Sequence, residues 1–163
     1  PWAWAIIHAG KPVENRGWRT GNAQWNFQGH LLIHAAKGMT REEYADAALM
    51  MRGIGIECPL PAELLRGGLI GSVYVDGVIG RAAPRGNDKR LNAFENSPWF
   101  FGPSALALSN PRPFPKPIAC RGALGFFVPE PQEGQEFEQP LPWMTRPRQA
   151  DILETHQGNL ALR

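Results

Sequence analysis

The sequence predicts one mixed α+β domain: about five or six short strands curled into a small sheet or barrel, with two or three flanking helices. Three observations predict it. Short apolar runs bounded by glycine, proline and asparagine recur over the first 128 residues, two stretches carry helical spacing, and no internal repeat divides the chain. With 163 residues, there is enough chain for one sizeable core and too little for two.

The elements follow in order. Trp2, Ala5, Ile6 and Ala9 recur at helical spacing, and Gly10 supplies a stop. Pro12 to Arg16 is too short and too flanked by breakers for a helix and reads as extended, with a polar loop running on through Gln28. Leu31, Leu32 and Ile33, between Gly29 and Lys37-Gly38, form the apolar run of a buried strand. Thr40 with Glu43 is a capping box, in which each side chain satisfies a free N–H of the first turn; it opens a helix to about Arg52, closed by Gly53. Pro61 to Arg66 adds a short helical turn. Leu69 to Ile79 is rich in β-branched residues and reads as one long strand that bends, in preference to a hairpin at Asp76-Gly77. A surface loop from Arg81 to Pro98 carries Arg81, Arg85, Lys89 and Arg90. Strands are expected at Ala105–Ser109 and Ala123–Val128, while Asn110 to Pro117 between them is too proline-rich for a central strand.

Composition changes after Val128. Pro129 to Pro142 carries Glu130, Glu133, Glu136 and Glu138 and no basic residue, the pattern of a solvated linker. The expected organisation is therefore a domain over residues 1–128 and an acidic, proline-rich linker and extension over 129–163, weakly helical from Arg148 to about His156.

The formal charge of +2 and pI near 8.9 permit an anionic partner without requiring one. Cys58 and Cys120 stand far apart, in no metal-ligand spacing and with no secretory context, so neither a disulfide framework nor a zinc site is expected. No apolar run approaches the roughly 18 residues of a membrane span, and Pro1 to Gly10 lacks the charged opening of a signal peptide. These readings point to the cytoplasm, with no membrane, metal or cofactor.

Three charged residues fall within six positions directly after the first helix: Lys11, Glu14 and Arg16. If the segment is a strand, period-two alternation sets Glu14 and Arg16 on one face, with Lys11 at the strand entrance. Cations near the carboxylate keep it ionised, and a partly buried lysine loses its proton more easily than a free one. Such a set suits polar-ligand binding or proton transfer; an ordinary ion pair at a sheet rim is the other reading.

The run Pro1-Trp2-Ala3-Trp4-Ala5-Ile6-Ile7, followed by Gly10-Lys11-Pro12-Val13-Glu14-Asn15-Arg16, resembles the opening signature of ASCH domains, a short helix and a G-x-K-x-x-E-x-R element. Leu31-Leu32-Ile33-His34-Ala35 is similar to that family's second strand and Leu69 to Ile79 to its central strand. Pro98-Trp99-Phe100-Phe101-Gly102 with Cys120-Arg121-Gly122-Ala123-Leu124-Gly125 is similar to its closing hairpin region. The resemblance spans about Pro1 to Val128 and implies a PUA-like barrel whose roles centre on RNA, other nucleic acid or modified nucleosides. One bacterial branch hydrolyses N4-acetylcytidine with a lysine and a threonine of this element and a distant glutamate. Lys11 matches that lysine, Glu14 stands in the threonine's place, and the central strand offers Asp76. A ribonuclease activity also occurs in the family.

Aromatic faces near cations suit stacking of single-stranded bases. Trp2 has the spacing of a packed residue, whereas Trp18, Trp25 and Trp99 sit in loops near polar residues and are binding candidates. Lys37 and Arg41, at the start of the second helix, are candidates for phosphate. His34, ending a strand just before Lys37, either lines the same cleft or is a packed, hydrogen-bonded histidine. The expected function is recognition of RNA, single-stranded nucleic acid or a modified nucleoside, with Lys11 and Glu14 as candidate catalytic groups and Arg16, Trp18, Trp25, His34, Lys37, Arg41 and Trp99 as candidate ligand contacts. A small hydrolase acting on acylated cytidines or RNA is the alternative, and a protein-interaction module using the acidic tail or the Asn110–Pro117 stretch is a third.

Overall fold

The computed structural model describes residues 1–17, 26–81, 83 and 89–145. Helix α1 (Trp2–His8) leads into strand β1 (Val13–Arg16), strand β2 (Gly29–Ala35), helix α2 (Arg41–Gly53), a 3-10 turn (Pro61–Glu63) and strand β3 (Gly68–Gly80). A second 3-10 turn (Lys89–Leu91) runs into helix α3 (Asn92–Glu95); strand β4 (Ser104–Ala119) and helix α4 (Pro142–Thr145) complete the described elements. The fold is α+β. Among the described residues the strands form an open, wholly antiparallel four-stranded sheet in the order β1-β4-β3-β2, where sequence patterning suggests five or six strands.

Local chemistry accounts for most boundaries. Thr40 Oγ1 accepts from Glu43 N at 3.1 Å, and Glu43 Oε2 accepts from Thr40 N at 2.7 Å, so the predicted capping box opens α2. Strand β3 bends as expected and does not turn at Asp76-Gly77; its register shifts between Leu69 and Gly71, Ser72 and Tyr74, and Val75 and Gly77.

Two strand expectations change. Asn110 to Ala119 continues β4, and the proline argument survives in a narrower form. β1 covers β4 only from Ser104 to Ala107, so the prolines fall where β3 is the sole ladder partner among the described residues. Asn110, at φ 51°, lies where the β3–β4 register slips, between Ser109 and Arg112. Residues 123–128 form no strand. Their apolar run serves as a plug: Phe126 packs edge-on against Phe27 at 5.1 Å, Phe127 stands against His34 at 5.7 Å, and Leu124 and Val128 point to solvent.

Apolar residues collect on both faces of the sheet. One face carries Ile33, Val73, Val75, Val78, Leu106 and Leu108 against Ile6 and Ile7 of α1. The other carries Val13, Ile79, Ala105 and Ala107 beneath Ala47 and Met51 of α2, with Leu91 and Trp99. A smaller cluster of Met39, Leu64 and Met144 brings the last described helix onto the body. Among the described residues no helix is long and apolar enough to cross a membrane.

Candidate functional site

Gly10 lies at φ +67°, a left-handed conformation that glycine adopts without steric cost, and it turns the chain from α1 into β1. Lys11 N then donates to Ala5 O at 3.1 Å, and Leu108 N donates to Pro12 O at 2.8 Å. The entrance to β1 is thereby pinned to α1 on one side and to β4 on the other. Val13 is fully buried opposite Ala107, which sets Glu14 beside Leu106 and Arg16 beside Ser104 on the opposite face.

The three charged residues meet as the spacing predicts. The Lys11 ammonium is buried; it donates to the Val13 carbonyl and to Glu14 Oε2 at 2.9 Å, and lies 5.8 Å from the centre of the Trp2 ring. The other oxygen, Glu14 Oε1, is 3.2 Å from an Arg16 guanidinium nitrogen. One carboxylate thus bridges two cations, and the exposure of the side chains rises outward from 1% for Lys11 to 23% for Glu14 and 36% for Arg16. Burial pushes the Lys11 proton affinity down; the Glu14 carboxylate opposes this and Arg16 adds to it.

Two neighbours escaped sequence reasoning. Asn15, on the face opposite Glu14, donates to Trp99 O at 2.8 Å and accepts from Phe101 N and Gly102 N, both at 3.2 Å. It fixes the 99–102 loop so that Phe101, 60% exposed, stands 5.8 Å from the Trp2 ring. The aromatic pair thus adjoins the cluster at Lys11, through Trp2. The run Trp99-Phe100-Phe101 was visible in sequence, but which ring turns outward depends on the Asn15 bonds.

The other candidates lie elsewhere. Trp99 is buried in the core with Val13 and Ala105, so its ring packs and is not presented for stacking. His34 belongs to β2, the edge strand opposite β1, and its Nε2 donates to Cys120 O at 2.9 Å; it is the packed, hydrogen-bonded histidine and not a wall of the Lys11 cluster. Lys37 pairs with Glu138 at 2.8 Å, and the Arg41 guanidinium sits 5.7 Å over the Trp143 ring. Both cations thus face the chain's own C-terminal segment. Trp18, Trp25 and Arg85 lie outside the described residues.

Asp76 occupies the irregularity of β3 between Val75 and Gly77, and its Oδ2 is buried without a hydrogen-bond partner. Strand β4 separates it from β1. Among the described residues, no group of three or more His, Cys, Asp and Glu is placed to hold a metal ion. No protein-family model matches the chain, and no curated protein matches it.

Proposed function

We propose that this chain is an ASCH-type domain of the PUA-like group that recognises a nucleotide or modified nucleoside, in RNA or another single-stranded nucleic acid, at the Lys11–Glu14–Arg16 cluster. In this reading the bent antiparallel sheet is the core of the PUA-like barrel, and the two free thiols suit a cytoplasmic protein. The observation that carries the reading is the bridging carboxylate. Glu14 pairs with both cations, and with 23% of its side chain exposed it accepts from the exocyclic amine of a base such as cytosine. Arg16, the outermost of the three, meets a phosphate or carbonyl oxygen, and the Trp2–Phe101 pair offers the ring an apolar flank.

Two observations favour hydrolysis as a second reading. The buried Lys11 gives up its proton more readily than a free lysine, as a proton-transfer group needs, and the half-buried Asp76 on β3 has one carboxylate oxygen buried without a hydrogen-bond partner.

Calorimetric titration of cytidine, N4-acetylcytidine and short RNAs into the native chain and Glu14→Gln tests the first reading. The amide keeps an acceptor for Lys11 but loses the charge, and a loss of about tenfold or more is expected, as for one removed base contact. Equal binding by both proteins, or none by either, overturns it. Chromatography of the same mixtures for deacetylated or cleaved product, with Lys11→Ala as control, decides for the second reading if product forms.

A further inference from the structure

The face of the sheet that packs under α2 is covered only in part. Its core residues on β4 are Ala105 and Ala107, and on β3 Ile79. Further along, alternation carries the same face outward. Val73 and Val75 point into the α1 side of the core, so Ser72 and Tyr74 point away from it. Tyr74 has His30 opposite it on β2 and Ser109 on β4; Ser72 has Leu32 and Arg112. These six residues form a grid two rows deep and three strands wide. His30, Leu32 and Arg112 are exposed, and Ser72, Tyr74 and Ser109 are half-buried among them.

The chemistry of the grid is specific. The His30 ring meets Tyr74 edge-on, with centres 5.3 Å apart and planes at 84°, so where one ring presents its face the other presents its edge. Leu32, 42% exposed, adds an apolar neighbour. Charge is one-sided: from Asn96 to Pro129 the charged residues are Arg112, Lys116 and Arg121, with no Asp or Glu, and all three are exposed. Asp76 is the one acid in β2, β3 and β4 together. The adjoining edge of β4 is a poor template for a protein strand, because residues 111, 113, 115 and 117 are prolines without an N–H to donate.

We propose that this open end of the sheet, with Tyr74 and His30 as stacking rings and Arg112 as the phosphate contact, is a docking surface for single-stranded nucleic acid. Unpaired bases present the π faces that the ring pair accepts, and the backbone presents the negative charge that Arg112 complements. A duplex hides its bases and meets only the cations. The surface lies on the opposite side of the sheet from Glu14 and does not depend on what the Glu14 cluster binds.

Fluorescence anisotropy with a labelled oligouridine of about 12 nucleotides, and with a duplex of equal length, tests it at salt from about 50 to 200 mM. The native chain should bind the single strand at least about tenfold more tightly than the duplex. Tyr74→Ala should lose about tenfold, the order of one base stack, while Tyr74→Phe stays within about twofold. Arg112→Gln should reduce the slope of log affinity against log salt by about one. Excess free cytidine should leave the oligouridine bound, which separates this surface from the Glu14 cluster. If Tyr74→Ala fails to fold by circular dichroism, His30→Ala, at an exposed position, should show the same kind of loss. The proposal is overturned by no binding at about 50 mM salt, by native affinity in the folded ring variant, by equal affinity for duplex, or by displacement of the oligouridine by free cytidine.

Discussion

The Lys11 ammonium, buried at the entrance to β1, donates to Glu14 Oε2 at 2.9 Å. The pair is asymmetric, because Glu14 keeps access to solvent and to Arg16 while Lys11 has neither. Removing the acid therefore strands a buried cation, whereas removing Arg16 leaves Glu14 its Lys11 bond and its contact with solvent.

Glu14→Ala should destabilise the chain by about 2–3 kcal/mol, as expected when one partner of a buried pair is lost and the remaining charge is partly accommodated. Arg16→Ala should cost less than Glu14→Ala, because it leaves Lys11 its carboxylate partner. Lys11→Met combined with Glu14→Ala should recover much of the first loss, since no buried charge remains. Urea midpoints give all three values; equal costs for Glu14→Ala and Arg16→Ala would show that Lys11 does not depend on Glu14.

Lys11 also sets a pH dependence. Its folded-state proton affinity is lowered, chiefly by burial, from an ordinary value of 10.5. Between the lowered folded value and 10.5 the unfolded chain binds more protons than the folded one, so stability rises with pH across that window. Below the window the full penalty of burying the ammonium applies. Chemical melts of the native chain and Lys11→Met at a series of alkaline pH values should show the difference moving in favour of the native chain as pH rises. A difference flat in pH would contradict a lowered Lys11.

Asn15 ties three backbone groups of the 99–102 loop to β1. Asn15→Ala should cost about 1–3 kcal/mol, because the Trp99 carbonyl and the Gly102 amide lose their partner in a part-buried place. Amide exchange should accelerate at Phe101 and Gly102 well before it does in β3. Unchanged protection at both amides would show that the loop is held by the burial of Trp99 alone.

What the sequence disclosed, and what it withheld, follows from the range of the interactions. Thr40 and Glu43 are three residues apart, so their capping box is legible without any tertiary knowledge. Lys11, Glu14 and Arg16 were legible for the same reason, since one turn and one short strand suffice to bring them together. Trp99 and Phe101 were not: they are two residues apart and both aromatic, and only Asn15, 84 positions before Trp99, decides which is buried. The proline rule bars Asn110 to Pro117 from a central strand and not from an edge, and the segment continues β4 because β1 ends before those prolines begin. Residues 123–128 had the composition of a strand, but Phe126 and Phe127 are held by ring contacts to Phe27 and His34.

The acidic stretch after Val128 shows the same dependence on distant partners. Composition alone describes it as solvated, yet Glu138 N donates to Arg66 O at 2.9 Å, the buried Arg66 guanidinium donates to the Gln139 carbonyl and to Lys37 O at 2.8 Å, and Met144 closes a cluster with Met39 and Leu64. Met144→Ala should therefore cost about 2–4 kcal/mol, the usual range for emptying a buried methionine site. Removing residues 129–163 should cost more, because Arg66 then also loses the Gln139 carbonyl and its backbone bond to Glu138. Thermal melts of the shortened chain and of Met144→Ala measure both effects. A shortened chain that melts with the native one would show that 129–145 adds nothing to the body; one that melts lower yet still binds ligands of the Glu14 cluster would separate the segment's structural part from recognition.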